Sequence, residues 1–433
     1  MFTKKTIDDI RDLHGKTVLL RVDFNVPIDE NGIISDDYRI RQALPTIEHL
    51  HGLGAKTAII SHLGRPTGPE DIKNSLMPCA IRLKDLLHLP VDFVDDCIGE
   101  KRDQTIKNMQ PGDVVLLENL RFYREEESND DIFAKKLASG CDMFVQDAFG
   151  VVHRAHASTS AITKHLPSYA GMLLVKEVDT ITDSMDNPQK PLAVIIGGAK
   201  ISDKIDILKT FVQKADFVAV VGAMANTFLL ADDVKIGQSL AEPDSVPIAK
   251  EILAMAEQKA KKQAFSFYLP HDVVVAKSKD HIVPTRVVDI GMHTWADIHT
   301  YPHKPKKPDY TVADDELILD IGPMTASVIA GALRLSKTAI WNGTAGVTEI
   351  AGYHGARAPF SHGTHIIAEG LIGERAGYKD HPFTVVGGGD TVGYVESVVG
   401  LRDRLGHVST GGGASLDLMA GKKLPGVEAL LDK

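Results

Sequence analysis

The chain has 433 residues, of which 43% are hydrophobic and 24% charged, a composition typical of globular proteins with two or three domains. Its formal net charge of −10 argues against a general nucleic-acid or acidic-membrane surface, so an anionic ligand must bind at a local basic cluster. The N-terminus lacks the apolar core of a signal peptide, and no apolar run is long enough to cross a bilayer. The three cysteines have neither zinc-site nor disulfide spacing. We therefore expect a cytoplasmic protein without a membrane or nucleic-acid partner.

Short apolar runs alternate with helical patterns along the chain, which predicts an α/β protein with parallel sheets. Several runs lack the polar alternation of a half-exposed strand, so helices are expected to cover both faces of each sheet. This pattern favours doubly wound, Rossmann-like domains over sandwiches. The predicted strands are Thr17–Val22, Thr57–Ser61, Val114–Leu117, Met143–Val145, Leu192–Ile196, Phe217–Val221, Leu317–Ile321, Thr338–Trp341 and Phe383–Val386.

A polar stretch with two Xaa-Pro pairs, residues 176–191, interrupts this alternation before a new buried strand begins. We predict a hinge helix there, joining an N-terminal domain over residues 1–175 to a C-terminal domain over residues 192–407. A second proline-bearing stretch, residues 293–310, is too irregular for a core element and is expected to form an exposed loop.

Basic and hydrogen-bonding residues follow several predicted strands of the first half. Ligands of open parallel sheets bind at the carboxyl ends of the strands, and arginine forks match the geometry of phosphate and carboxylate groups. Taken singly, each arginine is explained more simply by a surface ion pair, and each histidine by packing. Their repeated position nevertheless predicts an anion site. The residues concerned are Asp23, Asn25, Arg39, His62, Arg65, Arg121, His153, Arg154 and His156.

The second half contains strand-to-glycine turns, of which the first is IIGGAKISDK. Lys200 and Lys204 lie one turn apart at the start of the helix that follows. Cations oppose the helix dipole at that end, so an anion between the two lysines would account for them, with ordinary solvated lysines as the alternative. Another turn, WNGTAGVTE, offers Glu349, a carboxylate suited to the hydroxyl groups of a ribose.

The turn FTVVGGGDTVG runs from a strand into Gly387, Gly388 and Gly389, then Asp390 and Thr391. Glycines let backbone N–H groups converge, and a helix N-terminus adds positive charge, so polyphosphate is the expected ligand. Asp390 could hold Mg²⁺ and Thr391 could donate to a phosphate oxygen, although both could equally be ordinary helix caps. None of these turns matches the P-loop or the dinucleotide fingerprint.

Two other functions compete with phosphoryl transfer at this stage. A nicotinamide-dependent dehydrogenase would need a GxGxxG turn opening a βαβ unit with an acidic residue about 20 positions later, a pattern not found in that context. A non-catalytic protein that closes on an anionic metabolite would not need Lys200, Asp390 and several nucleotide-type turns.

Taken together, the motifs resemble the phosphoglycerate kinase family, whose order they follow from about residue 20 to residue 426. WNGTAGVTE, Met324 and the length of residues 293–310 depart from the commonest family pattern and resemble archaeal variants, which leaves the contacts to the nucleotide base open. The motifs are RVDFNVP, SHLGRP, ENLRFY, DAFGVVHRAHAS, GGAKISDKI, DIGPMT, WNGTAGVTE, GGGDTV and STGGGASLDLMAGKKLPGV.

The resemblance implies the glycolytic and gluconeogenic transfer of a phosphoryl group between 1,3-bisphosphoglycerate and MgADP, giving 3-phosphoglycerate and MgATP. It implies a glycerate site formed by Asp23, Asn25, Arg39, His62, Leu63, Gly64, Arg65, Arg121 and Arg154. It implies a nucleotide site formed by Lys200, Lys204, Glu349, Gly387, Gly388, Gly389, Asp390 and Thr391.

Within these sets, Arg39 and Lys200 are expected to contact the transferred phosphoryl group, while Asp390 holds Mg²⁺. The resemblance further implies that the two domains close about the 176–191 connector, and that residues 408–433 return towards the N-terminal domain. Whether the protein is a monomer or a homodimer stays open.

Overall fold

The protein divides into two compact units, Met1–Thr182 with Thr410–Lys433, and Asp183–Ser409. The predicted loop at residues 293–310 lies outside the described residues. Among the described residues, no helix is both long and apolar enough to cross a membrane. The structure, a computed structural model, describes residues 2–280, 282–290, 311–350, 358–373 and 381–433.

The first unit is built on a parallel sheet. In the described part of the unit, the strands are β1 (Thr17–Arg21), β2 (Lys56–Ile60), β3 (Asp92–Val94), β4 (Val114–Leu117), β5 (Met143–Gln146) and β6 (Ser168–Ala170). They lie in the order β3-β4-β2-β1-β5-β6, with Thr17 paired to Lys56 and Val18 to Met143.

Helices pack on both faces of this sheet, because alternate residues of β1 belong to different hydrophobic clusters. Val18 and Leu20 pack with one set of helices, whereas Leu19 packs with the other. This arrangement explains why all the residues of β1 are buried, with no alternation between buried and exposed positions. The helices are α1 (Tyr38–Gly52), α2 (Met77–Leu87), α3 (Glu100–Asn108), α4 (Arg124–Glu127), α5 (Asp131–Ala138) and α6 (Met172–Asp186).

The C-terminal segment belongs to the first unit. Glu177 on α6 is fully buried and accepts hydrogen bonds from the backbone N–H and the hydroxyl of Thr410, at 2.6 and 2.7 Å. Near the chain ends, the Lys4 ammonium lies 2.7 Å from Asp432 Oδ1. These contacts explain why the first unit is made of two separate stretches of sequence.

The second unit contains another parallel sheet, in the order β15-β14-β13-β7-β8-β9 among the described residues. Its strands are β7 (Leu192–Ile196), β8 (Phe217–Val220), β9 (Ser266–Tyr268), β13 (Thr338–Asn342), β14 (Phe383–Gly387) and β15 (His407–Val408). The helices of the described part are α7 (Ile205–Lys214), α8 (Ala223–Ala231), α9 (Val246–Ala260), α10 (Pro323–Leu335), α11 (His362–Leu371) and α12 (Gly389–Ser397).

A smaller sheet of the second unit is antiparallel, with β10 (Asp272–Ala276) between β11 (Arg286–Asp289) and β12 (Leu317–Ile321). The prediction that the Leu317–Ile321 strand joins a parallel sheet is therefore wrong. An apolar run reports that a strand is buried but not the direction of its partner, so the sequence pattern could not distinguish the two cases.

Two further short helices, α13 (Gly413–Met419) and α14 (Pro425–Glu428), complete the first unit.

Candidate functional sites

The candidate site of the first unit lies beyond the carboxyl ends of β1 and β2. Asp23 follows β1, His62 follows β2, and Arg39 lies in the first turn of α1. Asp23 Oδ2 accepts a hydrogen bond of 2.7 Å from Arg39 Nη1, and Asp23 Oδ1 lies 3.8 Å from His62 Nδ1. Burial is the largest single effect and opposes ionisation of Asp23, but the nearby charges, led by Arg39, and the hydrogen bond from the Asn25 N–H together outweigh it and hold the pKa of the carboxyl below its usual value. The structure thus brings these residues together.

The SHLGRP loop is fixed by two asparagines. Asn25 Oδ1 accepts from the backbone N–H of Gly64 at 2.9 Å. Asn119, which is fully buried, accepts from the N–H of Leu63 at 3.2 Å and donates to its carbonyl at 2.8 Å. Gly64 has a φ of +61°, and a Cβ there would lie 1.9 Å from Asn74 Oδ1, so the loop requires glycine. The sequence did not single out Asn119.

The remaining arginines differ in exposure and in how many bonds their guanidinium groups already make. Arg121 is largely buried, donates to the carbonyl of Gly64 at 2.8 Å and lies 3.3 Å from Glu127. Arg65 is exposed and, within the described part of the chain, has no ion-pair or hydrogen-bond partner. Arg154 is also exposed, with its Nε 3.2 Å from a ring nitrogen of His153. Arg65 and Arg154 therefore present free guanidinium N–H groups.

A buried ionic network lies next to this site, and sequence reasoning missed it. Arg21, the last residue of β1, is 1% exposed and donates to Ser158 Oγ at 2.9 Å. Ser158 donates in turn to Glu126 from its N–H at 3.0 Å and its hydroxyl at 2.5 Å. Burial raises the pKa of Glu126, while Arg21 acts in the opposite direction. The available signal was a charged residue ending an apolar strand, since a buried charge needs a partner.

In the second unit, Lys204 joins two of the glycine turns. Its ammonium donates to the carbonyl of Gly197 at 2.6 Å and to Asn342 Oδ1 at 2.7 Å. Burial lowers the pKa of Lys204 to about 8, although the nearby carboxylate of Asp390 acts against this shift. Lys204 therefore keeps one ammonium hydrogen for a ligand while it fixes the turns after β7 and β13.

Close backbone approach explains some of the glycines without any ligand. A Cβ on Gly343, whose φ is +104°, would lie 2.3 Å from the carbonyl carbon of Gly197. Gly389 is different, because its φ is not in the left-handed region and a Cβ there would meet no atom within 4 Å. The fold itself therefore does not require glycine at residue 389.

The GGGDT turn leads into the N-terminus of α12. Gly388 precedes the helix with a φ of +92°, and Gly389, Asp390 and Thr391 form its first turn. The first N–H groups of a helix have no intrahelical acceptor, so they can bind an anion. Thr391 is fully buried, and its hydroxyl accepts from the N–H of Gly343 at 2.6 Å. Its hydroxyl therefore holds two turns together, and its backbone N–H is among the first of the helix, which have no intrahelical acceptor.

The other predicted nucleotide residues, Lys200 and Glu349, are exposed. Gly387 ends β14 and pairs with Asn342. Among the described residues, no group of three or more histidine, cysteine, aspartate or glutamate side chains could cage a metal ion. The exposed carboxylate of Asp390 is a hard oxygen donor of the kind Mg²⁺ takes singly when phosphate oxygens and waters complete its coordination. The residues present thus fit a magnesium ion that arrives with a nucleotide.

Comparison with known proteins establishes the family. Residues 7–422 match the family model described as phosphoglycerate kinase. The chain belongs to the phosphoglycerate kinase family. It is 45% identical to the phosphoglycerate kinase of Dictyoglomus turgidum over 432 residues, covering 99% of this chain and 100% of that protein. It is also 45% identical to the phosphoglycerate kinase of Trichodesmium erythraeum, covering 100% of both chains.

Solved structures of the family agree. The phosphoglycerate kinase of Coxiella burnetii aligns with a TM-score of 0.77 and 34% identity over 98% of both chains. That of Pyrococcus horikoshii aligns with a TM-score of 0.79 and 28% identity over 99% of this chain and 98% of that one. The predicted family and the two Rossmann-like domains are confirmed, and the dehydrogenase and binding-protein alternatives fall away. Phosphoglycerate kinases use ADP and ATP as substrates.

Proposed function

We propose that this chain transfers a phosphoryl group reversibly between 1,3-bisphosphoglycerate and MgADP. We further propose that its first unit binds the glycerate and its second unit binds the nucleotide. The observation that supports this proposal is that the two units present different kinds of chemical group to an anion. The first offers arginine side chains around Asp23, whereas the second offers the backbone of a helix N-terminus at Gly389.

On the glycerate side, Arg65 and Arg154 are assigned to the charged ends of the ligand, because their guanidinium groups are exposed. Arg39 is 29% exposed and already paired to Asp23, which fixes its position while leaving other N–H groups free. Asn25, His62, Leu63, Gly64 and Arg121 belong to the same loop cluster and complete the proposed glycerate site.

On the nucleotide side, the phosphates are assigned to the first turn of α12 and to Lys200 and Lys204. A Cβ at residue 389 would project into open space, which is where a phosphate would need to approach the backbone. Glu349 is assigned to the ribose. Asp390 would hold Mg²⁺, which when bound neutralises the nucleotide phosphates and so lowers the cost of bringing anions together.

The reaction needs no general base. A nucleotide phosphate oxygen and the carboxylate of 3-phosphoglycerate are both ionised near neutral pH, so each is ready to attack phosphorus. The protein's task is alignment and charge compensation, which we assign to Arg39 and Lys200 at the transferred group. Since the two ligands are assigned to different units, we expect movement about the 176–191 connector in each turnover. We assign this activity to the cytoplasm, as a monomer or homodimer.

A coupled assay that follows 3-phosphoglycerate-dependent consumption of MgATP tests the proposal. We expect turnover that saturates independently with each substrate. A folded protein that consumes no MgATP on addition of 3-phosphoglycerate would overturn it.

A further inference from the structure

We infer that Arg21 is a positioning residue that holds His62 in a single tautomer, the neutral ring with its proton on Nε2. In that tautomer His62 offers the glycerate ligand a hydrogen-bond donor. The inference deepens the proposed function and rests on the assignment of His62 to the glycerate site.

The geometry of Arg21 decides which ring nitrogen is an acceptor. Arg21 is 1% exposed, and its Nη2 lies 3.2 Å from His62 Nδ1. Its other groups are held by Ser158 Oγ and by the carbonyl of Val22. A guanidinium has donors but no acceptor, so Nδ1 must direct a lone pair towards Arg21 and cannot carry the proton.

Asp23 is the residue that could favour the opposite tautomer, and it lies out of range. Its Oδ1 is 3.8 Å from His62 Nδ1, which is too long for a hydrogen bond. That oxygen accepts instead from the N–H of Asn25 at 3.1 Å, and Oδ2 is bonded to Arg39. The carboxylate therefore has its own donors and leaves Nδ1 to Arg21.

The charges around His62 keep the ring neutral. Burial is the main effect, and the positive charges of Arg21, Arg121 and Arg39 act in the same direction against the single carboxylate of Asp23. The pKa of His62 therefore lies well below its usual value. A neutral ring whose Nδ1 is an acceptor must carry its proton on Nε2.

His62 Nε2 is the group left for a ligand. The residue is only 3% exposed, and within the described ranges Nε2 has no hydrogen-bond partner. The Nε2 atom is not among the unpartnered polar atoms sealed from solvent in the described residues, so a ligand oxygen can reach it. Carboxylate and phosphate oxygens are acceptors only, so they match an Nε2–H and would be repelled by an Nε2 lone pair. The tautomer thus selects for an anionic ligand.

Nitrogen-15 NMR of histidine-labelled protein, with the His62 signals assigned through His62→Gln, tests the inference without using activity. We expect a directly bonded proton on His62 Nε2 and none on Nδ1, unchanged between pH 6 and pH 8. A proton on Nδ1, or an imidazolium in that range, would overturn it. Loss of 3-phosphoglycerate-dependent turnover with this tautomer intact would instead overturn the proposed function.

Arg21→Lys tests the cause. Lysine keeps the charge beside Glu126 but is a point donor, so it cannot hold Ser158 and His62 together as the planar fork does. We expect His62 Nδ1 to gain a proton fraction and KM for 3-phosphoglycerate to rise about tenfold, equivalent to one lost charged hydrogen bond, while KM for MgATP stays constant. An unchanged tautomer and an unchanged KM would remove Arg21 from this role.

Two further variants separate positioning from stability. Should Arg21→Lys fail to fold, the double substitution Arg21→Met with Glu126→Gln removes both buried charges at once and should give the same tautomer shift. The matched control is Arg102→Met, since Arg102 is another fully buried arginine of the first unit, bonded to the carbonyls of Leu137 and Ser139. We expect this control to lower stability while leaving the His62 tautomer and both KM values unchanged; a shift of the tautomer there would contradict the inference.

Discussion

At the scale of single residues, the two proposed sites use different chemical groups. The glycerate side relies on side chains held by one another, as in the 2.7 Å pair of Arg39 and Asp23. The nucleotide side relies on backbone N–H groups and on the exposed carboxylate of Asp390. Substitutions on the two sides should therefore have separable effects on the two substrates.

Arg39→Ala should lower kcat by about 100-fold or more while changing KM for MgATP little, because the guanidinium is assigned to charge that develops on the transferred group. Steady-state kinetics measure this split. The matched control is Arg41→Ala on the same helix, because the Arg41 side chain is 44% exposed and its guanidinium is paired to Asp37. Normal kcat in Arg39→Ala, or an equal loss in Arg41→Ala, would contradict the role of Arg39.

Asp390→Ala should raise the magnesium concentration needed for half-maximal rate about tenfold or more, since a carboxylate oxygen is lost from the proposed Mg²⁺ site. Binding of 3-phosphoglycerate, measured by calorimetry, should stay near normal. Asp403→Ala, at another exposed aspartate of the second unit, serves as the control. Equal loss of both affinities in Asp390→Ala would contradict a metal role and indicate misfolding.

The sequence singled out candidate residues within recognisable motifs, exposed ones such as Asp390 and buried ones such as His62 alike, but it missed Arg21 and Asn119. Arg39 and Asp390 lie in motifs that a local pattern is sufficient to recognise, and their roles stay predictions. Arg21 and Asn119 became visible only through partners distant in sequence, Ser158 for the first and Leu63 for the second. Such pairings depend on the tertiary fold, which a single sequence does not specify at the level of individual side chains.

At the scale of elements, the first turn of α12 carries the nucleotide proposal. Gly389→Ala adds a methyl group that meets no protein atom within 4 Å, and alanine is the better helix former. We expect unchanged or slightly higher stability, together with a rise of about tenfold in KM for MgADP because the methyl group blocks phosphate approach. Thermal unfolding and steady-state kinetics check the two effects.

Gly393→Ala is the control for that substitution, because it lies one turn further along α12 and a Cβ there also meets open space. It should leave KM for MgADP unchanged. A normal KM in Gly389→Ala would show that the phosphates bind elsewhere.

The start of α6 is fixed by a buried carboxyl group with unusual pH behaviour. Asp147 Oδ1 accepts from the N–H of Leu174 at 3.0 Å, whereas in the described part of the chain Oδ2 has no hydrogen-bond partner. Burial raises the pKa of Asp147 to about 7. The folded state therefore binds a proton that the unfolded state releases near pH 4, so this group's stabilisation falls as pH rises from about 4 to 7.

Asp147→Asn should remove this pH dependence, since the amide is a neutral analogue of the protonated acid. In urea unfolding, the free energy of unfolding of the variant minus that of the original chain should rise by about 2 kcal/mol between pH 5 and pH 8. An identical pH dependence in both proteins would contradict a protonated Asp147.

Element prediction succeeded where the apolar runs were longest. β7 and β14 begin at the predicted residues, because a run of four or five buried residues leaves little ambiguity. The strands not predicted are β3, β6, β9, β10, β11 and β15, and all but β10 have only two to four residues, too few for a clear periodicity. β12 was found, but its antiparallel partner is set by tertiary packing rather than by its own sequence.

At the scale of the whole molecule, the chain forms two compact units, to which we assign unlike anion sites. The first unit includes Thr410–Lys433, joined to the rest through Glu177 and the pairing of Lys4 with Asp432. Composition alone could not have revealed this, because contacts over more than 200 residues leave no local pattern. The 176–191 hinge stays a prediction, and the described helix α6 begins at Met172.

The central claim is that one unit binds the glycerate and the other the nucleotide, and calorimetric titration of each ligand separately tests it most directly. Arg65→Ala should weaken 3-phosphoglycerate binding about tenfold and leave MgADP binding unchanged, whereas Gly389→Ala should do the reverse. Parallel loss of both affinities in each variant, or the opposite assignment of the two losses, would contradict the account.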